Sequence, residues 1–301
     1  MSSPPSTPLP PHTSRAHPAD LATLLILAVV TATLAAAVAR GVPLERDLAV
    51  HVALLAAFGG IAFTLRRNPD ARWTPYVRGV AVIGMMFTLY STLGHVAFRA
   101  IPWLADPALE RADRLLALGR SPSLLLQSVG TPGWTEFLSV FYAAFIPYLY
   151  LSILLGLIGR PAAQRDEFVT AFALLYTASF LGYLFLPARG PIVYMADAFN
   201  APLAGGPVHA TIVRTIDGLG GPHGAFPSLH VGASFLAAAF DLHRGDRLRG
   251  WIYVPLVILI AAATIVLRYH YVVDLVAAVL LASGALYAAP RLLARRAGAG
   301  R

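Results

Sequence analysis

Eight stretches of this chain, 21–39, 47–64, 76–98, 137–158, 167–186, 226–241, 251–267 and 271–289, come close to what crossing a bilayer demands. A hydrocarbon core of about 30 Å takes roughly 20 apolar residues at about 1.5 Å each. Inside it only a helix satisfies every backbone N–H and C=O within one segment. The sixth and seventh stretches are short and rest partly on their context. Composition agrees, with 57% hydrophobic and 13% charged residues and a mean hydropathy of +0.66. A soluble domain has about 45–50% and about 25%. The pattern predicts an all-α, polytopic membrane helix bundle of about eight transmembrane helices. The first stretch ends in Ala37-Val38-Ala39, similar to a signal-peptidase site. It is longer than the roughly 7–15 residues of a signal h-region, so a retained span is expected.

The charged residues orient these spans. All 23 basic residues are arginine, and cysteine is absent. That excludes Schiff-base lysines, disulfides, thiolate metal sites and cysteine nucleophiles. The formal charge of +8 is scattered between apolar runs, so no nucleic-acid partner is expected. With the N-terminus inside, the cytoplasmic segments hold 14 of the 23 arginines and six of the 15 acids. The whole excess then lies on one face, as the positive-inside bias requires. An integral protein of the plasma or inner membrane is expected, with both termini cytoplasmic.

Residues 1–19, rich in Pro and Ser, read as a disordered cytoplasmic tail. Residues 20–75 would form two accessory spans, 76–290 a six-helix core and 291–301 a basic cytoplasmic tail. Two outer loops are long. In 99–136, PALERADRLLAL places Leu109, Leu115 and Leu116 near one helical face and Glu110, Arg111, Asp113 and Arg114 mostly on the other. That suits a helix lying in the interface, although a solvated loop helix has the same pattern. The loop 187–225 is rich in Gly and Pro and reads as a long structureless segment, which in a compact protein is usually functional or disordered.

Three segments carry chemistry. In AFPSLHVGASF, Pro227 and Ser228 suit a helix start, and His230 follows within the first turn. A helix N-terminus is an anion site, and an imidazole there can protonate a phosphate leaving group or simply cap a membrane helix. In LRYHYVVDLVAA, His270 and Asp274 lie four apart on one helical face. A carboxylate bonded to one imidazole nitrogen frees the other as nucleophile or base. A structural His–Asp pair between helices is the alternative. In LFLPARGP, Arg189 sits in a rigid turn at the outer end of the fifth span, where it can bind phosphate or snorkel to headgroups. The topology, built without these motifs, places Arg189, Ser228, His230, His270 and Asp274 together at the outer surface. These are parts that metal-free phosphoryl transfer needs.

These segments resemble the three signatures of the type-2 phosphatidic acid phosphatase superfamily, and FPSLH and HYVVD are especially similar to its inositol phosphorylceramide synthase-like branch. The resemblance covers about 165–290, while 76–164 agrees in span layout alone. It implies that His270 attacks phosphorus and forms a phosphohistidine, that Asp274 orients it, and that His230 protonates the leaving group. It also implies that Arg189 and Ser228 hold phosphate oxygens. The founding pattern has Lys where this chain has Gly182 and Arg where it has Thr264, which leaves the phosphate short of two cations. Arg268 and Arg214 are candidate replacements on physical grounds.

The expected function is that of an extracytoplasmic lipid phosphatase or phosphotransferase, passing a phosphoryl unit from a lipid phosphate to an alcohol of inositol or glycerol type, or to water. Its partners would be the lipid phosphate and the membrane lipids, and oligomeric state leaves no mark in the sequence. No cluster has convincing metal-ligand composition. The nearest would be His230, His270 and Asp274 around zinc, so neither metal nor organic cofactor is expected. The rival reading is a phospholipid transporter or flippase, but transporters tend to bind near the midplane at repeat interfaces, and no repeat is visible. His51 and His95 are expected to pack or to bond between helices. Tyr142, Tyr148 and Tyr150 are read as interface and packing residues. His209 and His223 lie in the long loop, facing substrate or solvent.

Overall fold

A computed structural model of the chain describes residues 16–218, 220–244 and 246–298, with the side chains of His95 and Ala297 outside the description. Every regular element among the described residues is helical. The α-helices in order are α1 (Pro18–Ala39), α2 (Glu45–Arg67), α3 (Thr74–Ala100), α4 (Asp106–Leu116), α5 (Pro122–Leu125), α6 (Pro132–Ile158), α7 (Ala162–Phe185), α8 (Pro191–Tyr194), α9 (Pro207–Gly218), α10 (Leu229–Arg244), α11 (Arg247–Val266) and α12 (Val272–Gly298), with short 3-10 turns at Leu126–Val129 and Ala196–Ala198. Part of the expected tail, 1–15, lies outside the described residues. Its end does not stay extended, because Pro18 opens α1 and His17 Nδ1 accepts the Ala19 N–H at 3.3 Å.

Seven helices, α1, α2, α3, α6, α7, α11 and α12, are long and apolar enough to cross a membrane, so the chain is a polytopic helical membrane bundle. The expected sixth span, 226–241, falls below the length of these seven. It folds as α10, with 16 residues, or about 24 Å at 1.5 Å per residue. It begins three residues later than expected because Ala225 and Ser228 are engaged with the residues around His270, so the helix opens only at Leu229. Walled in by α11, α12 and α7, it buries residues on every side. At the centre of the bundle lies α7, packed by α12, α3, α1 and α10. The two N-terminal helices are not peripheral: α1 packs on α7 and α3, and Thr177 in α7 donates to the Ala22 carbonyl at 3.0 Å. His51 makes the expected polar bond between helices, its Nε2 lying 3.2 Å from Thr92 Oγ1.

The helix ends sort by charge. At one end Arg78 pairs with Asp20 at 3.1 Å, both buried. There Arg160 and Arg249 share Asp241, and Arg244 meets Glu167 at 3.2 Å. These ends are the starts of α1, α3, α7 and α11 and the finishes of α6 and α10. Ser228 at the start of α10 and Arg189 and His270 beyond α7 and α11 therefore lie at the opposite end.

At that second end the long loops are built rather than open. The interfacial helix expected in 99–136 is α4, but its orientation differs from the expectation. Leu109 is buried with Asp106 and Asp113, while Leu115 and Leu116 are 77% and 57% exposed. The segment 187–225, expected to be structureless, contains α8 and the 12-residue α9. Glu136 on α6 fixes the start of α9, its carboxylate accepting the N–H groups of Val208 at 2.8 Å and His209 at 3.1 Å.

Candidate active site

The three motif segments meet in one knot of short turns. The turn after α7 is bound to the turn after α11, where the Ile192 N–H donates to the Arg268 carbonyl at 2.7 Å. Gly190 makes this approach possible. Its φ is +83°, and a Cβ there would stand 2.3 Å from the Tyr269 carbonyl oxygen, so no other residue fits. The segment before α10 is tied to both turns. The Ala225 N–H donates to the Ala188 carbonyl at 3.3 Å, and the Ser228 N–H to the Asp274 carbonyl at 3.2 Å.

His270 sits at the centre of this knot, 4% exposed. Its Nδ1 lies 2.7 Å from the Ala225 carbonyl and 3.3 Å from Asp274 Oδ2. A carbonyl oxygen can only accept, so Nδ1 carries the proton and Nε2 keeps its lone pair. Asp274 stands beside the same nitrogen, but the Ala225 carbonyl holds the closer place. The same Oδ2 accepts the Tyr271 N–H at 2.8 Å, which fixes the start of α12 over the imidazole.

His230, in the first turn of α10, presents its ring 5.8 Å from that of His270. It is held between Tyr142, stacked at 4.5 Å, and Phe145 at 4.3 Å. Both histidines line a cavity of about 80 Å³, together with Arg189, Tyr90, Tyr142 and His223. The Arg189 guanidinium lies over the Phe98 ring at 5.0 Å. Burial and the nearby Arg189 hold the His223 imidazole below its ordinary pKa, so at neutral pH His223 offers a hydrogen bond rather than a charge. Ser228 is fully buried, and its hydroxyl and Asp274 Oδ1 have no hydrogen-bond partner among the described residues.

The two candidate replacement cations are not brought to the histidines. Arg268 donates to the Ala201 carbonyl at 3.0 Å, covers Phe199 and lines a different cavity. Arg214 is exposed on α9 and donates to Thr211 at 3.0 Å. The structure also explains the missing lysine of the founding pattern. A Cβ on Gly182 would lie 2.6 Å from Pro227 Cδ and 2.9 Å from the Phe226 carbonyl oxygen. Close approach of α7 to the FPSLH segment excludes any side chain there. Thr264, in place of the missing arginine, is buried, and its carbonyl accepts the N–H groups of Tyr269 and His270 at 3.0 and 3.1 Å.

Four residues that matter here have little signature in the sequence. Tyr142 is not merely packing, since it stacks on His230 and lines the cavity; Tyr148 and Tyr150 do pack, on the Ser234 carbonyl and Phe87. Asp106 accepts the N–H groups of Arg189 at 3.0 Å and Gly190 at 2.8 Å and the Tyr271 hydroxyl at 3.0 Å. Asp113 accepts those of Val272 at 2.9 Å and Val273 at 2.8 Å. The acids of α4 thus hold both the arginine turn and the start of α12. The fourth is Ala225, which acts through its main chain. His209 lies outside the cavity, its Nδ1 3.3 Å from Ser139 Oγ.

The family model of the PAP2 superfamily matches residues 107–288, starting upstream of the three motifs and taking in α4 and α6. A PA-phosphatase related-family protein of Dictyostelium discoideum is 34% identical over 115 residues, covering 37% of this chain and 21% of that protein. The chain therefore spans about a fifth of that relative's length. No solved structure matches. The family match extends over more than half of the residues and includes all three segments of the knot, so the chain belongs to the PAP2 superfamily.

Proposed function

We propose that this protein is a membrane lipid phosphatase or phosphotransferase of the inositol phosphorylceramide synthase-like branch, working through a phosphohistidine on His270. The observation that carries the proposal is the single cavity onto which His270, His230 and Arg189 all open, with His270 Nδ1 committed to the Ala225 carbonyl. In the first step His270 Nε2 attacks phosphorus while the bond to the lipid oxygen breaks. His230 gives its proton to that oxygen, and the phosphate charge beside it favours the imidazolium this requires. Asp274 balances the charge that develops on His270. Arg189 and the unengaged Ser228 hydroxyl hold the phosphate oxygens. In the second step His230, now neutral, takes the proton of an incoming hydroxyl, whose oxygen replaces His270 on phosphorus. The chemistry uses only side chains and needs neither metal nor cofactor.

The branch resemblance favours an alcohol over water as acceptor. An alcohol held in line acts at an effective molarity far above its bulk concentration, and Ile216 of α9 with Gly221 and Pro222 of the following loop wall the cavity. The test is a labelled lipid phosphate incubated with graded inositol, glycerol and diacylglycerol. A phosphorylated alcohol should appear and rise with acceptor. Free phosphate as the only product across the series would contradict transfer and leave a phosphatase.

The charge sorting supports an extracytoplasmic site. Cysteines can be introduced without background, since the chain has none. Ala204→Cys in the outer loop and Leu248→Cys at the start of α11 both lie at exposed positions. An impermeant thiol reagent on intact cells should label the first and spare the second. The reverse pattern would place the site in the cytoplasm.

A further inference from the structure

Beyond the histidine cavity, the same turn builds a second one. Tyr269 lines the first cavity, while its neighbour Arg268 lines another of about 400 Å³. Arg268 is 7% exposed, yet its guanidinium makes no ion pair among the described residues. It rests on the Phe199 ring at 3.7 Å and spends one N–H on the Ala201 carbonyl, while its Nε has no hydrogen-bond partner. The backbone there is strained as well. Arg268 has a φ of 65°, a left-handed conformation that a non-glycine residue rarely holds without cause. A buried guanidinium with open donors is costly unless an anion completes it. The rest of the wall includes the polar residues Gln127, Ser128 and Asn200, which match hydroxyl groups rather than a lipid chain.

We propose that this second cavity is a binding site for a small polyol phosphate, with Arg268 taking the phosphate and Gln127, Ser128 and Asn200 the hydroxyls. A planar guanidinium, fixed on one face by an aromatic ring, presents its edge for two-pronged contact with an oxyanion. The volume suits a group of this size, falling within the roughly 300–1,000 Å³ of small-molecule sites. The phosphate bound here is not the one His270 attacks, so the site stands whether the enzyme transfers or hydrolyses.

The experiment is equilibrium binding to the purified full chain in detergent. Glycerol 3-phosphate is the free probe, lysophosphatidic acid carries the same phosphate on a lipid, and glycerol is the uncharged control. At least one of the phosphates should bind in clear preference to glycerol. Arg268→Gln should weaken that binding at least about tenfold, as expected for losing a charge-assisted contact, while Arg268→Lys should retain part of it. Asn200→Ala, outside the strained turn, should weaken it severalfold in a protein of unchanged thermal stability. That variant decides the matter if Arg268→Gln fails to fold. Which phosphate depends on Arg268 and Asn200 identifies the source as free or lipid-linked. The proposal is overturned if neither phosphate is preferred to glycerol, if binding ignores both residues, or if it is lost in His270→Ala instead.

Discussion

His270→Ala is expected to abolish turnover of a lipid phosphate, while His230→Ala leaves a slow reaction on substrates with good leaving groups. The two imidazoles lie 5.8 Å apart, ring to ring, on one cavity, but they are held differently. His270 has its Nδ1 proton fixed by the Ala225 carbonyl, which suits its Nε2 to the nucleophilic role proposed above. His230 is held by stacking on Tyr142 and by the tilted Phe145 ring, and its proposed role is to donate a proton rather than to form the bond to phosphorus. General-acid assistance is typically worth about 10²–10⁴-fold and matters least when the leaving group needs no proton. The check is steady-state kinetics on an alkyl and an aryl phosphate for both variants. Near-wild-type turnover by His270→Ala, or equal losses on both substrates by His230→Ala, would contradict the assigned roles.

Asp106→Ala is expected to be the most damaging change outside the cavity. Its carboxylate is the shared acceptor for the Arg189 and Gly190 N–H groups and the Tyr271 hydroxyl, so one side chain ties the arginine turn to the turn that carries His270. Removing it leaves three donors without their acceptor, each costing about 1–3 kcal/mol if it stays buried. Measured against a total stability of about 5–15 kcal/mol, that is a large fraction. In the protein that still folds, kcat should fall about 10²-fold, the size of effect that a misplacement of about 1 Å can produce. Tyr271→Phe deletes one donor together with its need for an acceptor, and should cost no more than about 1.5 kcal/mol. Thermal unfolding with kinetics on the three proteins checks this. Asp106→Ala with unchanged kcat and stability would show that α4 does not hold the site.

How far the sequence discloses this arrangement depends on what kind of signal each part leaves. The spans are legible because a bilayer imposes length and apolarity on contiguous residues. The start of 226–241 is not, since tertiary bonds of Ala225 and Ser228 delay the helix to Leu229, which hydropathy does not record. His270, Asp274, His230 and Arg189 are legible because their chemistry stands in short motifs. Ala225 is not, since a main-chain carbonyl is the same in every residue. Asp106 and Asp113 lie seven apart, with Leu109 between them on the same stripe of α4. An amphipathic reading assigns such acids to solvent, and only the unpaired N–H groups of the neighbouring turns draw them inward. Arg268 shows the reverse problem: it is close to His270 in sequence, yet a left-handed backbone turns it toward another cavity.

The central claim is a covalent phosphoryl group on His270, and the most direct measurement is to trap it. Enzyme mixed with a lipid carrying labelled phosphate should be quenched within one turnover under alkaline conditions, which preserve phosphohistidine, and then digested and sequenced by mass spectrometry. The account predicts one labelled peptide containing Tyr269-His270-Tyr271, with the phosphate on the imidazole. Label should be absent in His270→Ala and should accumulate in wild-type enzyme when acceptor is withheld. Label on another residue, or full turnover with no labelled peptide at any quench time, would contradict it.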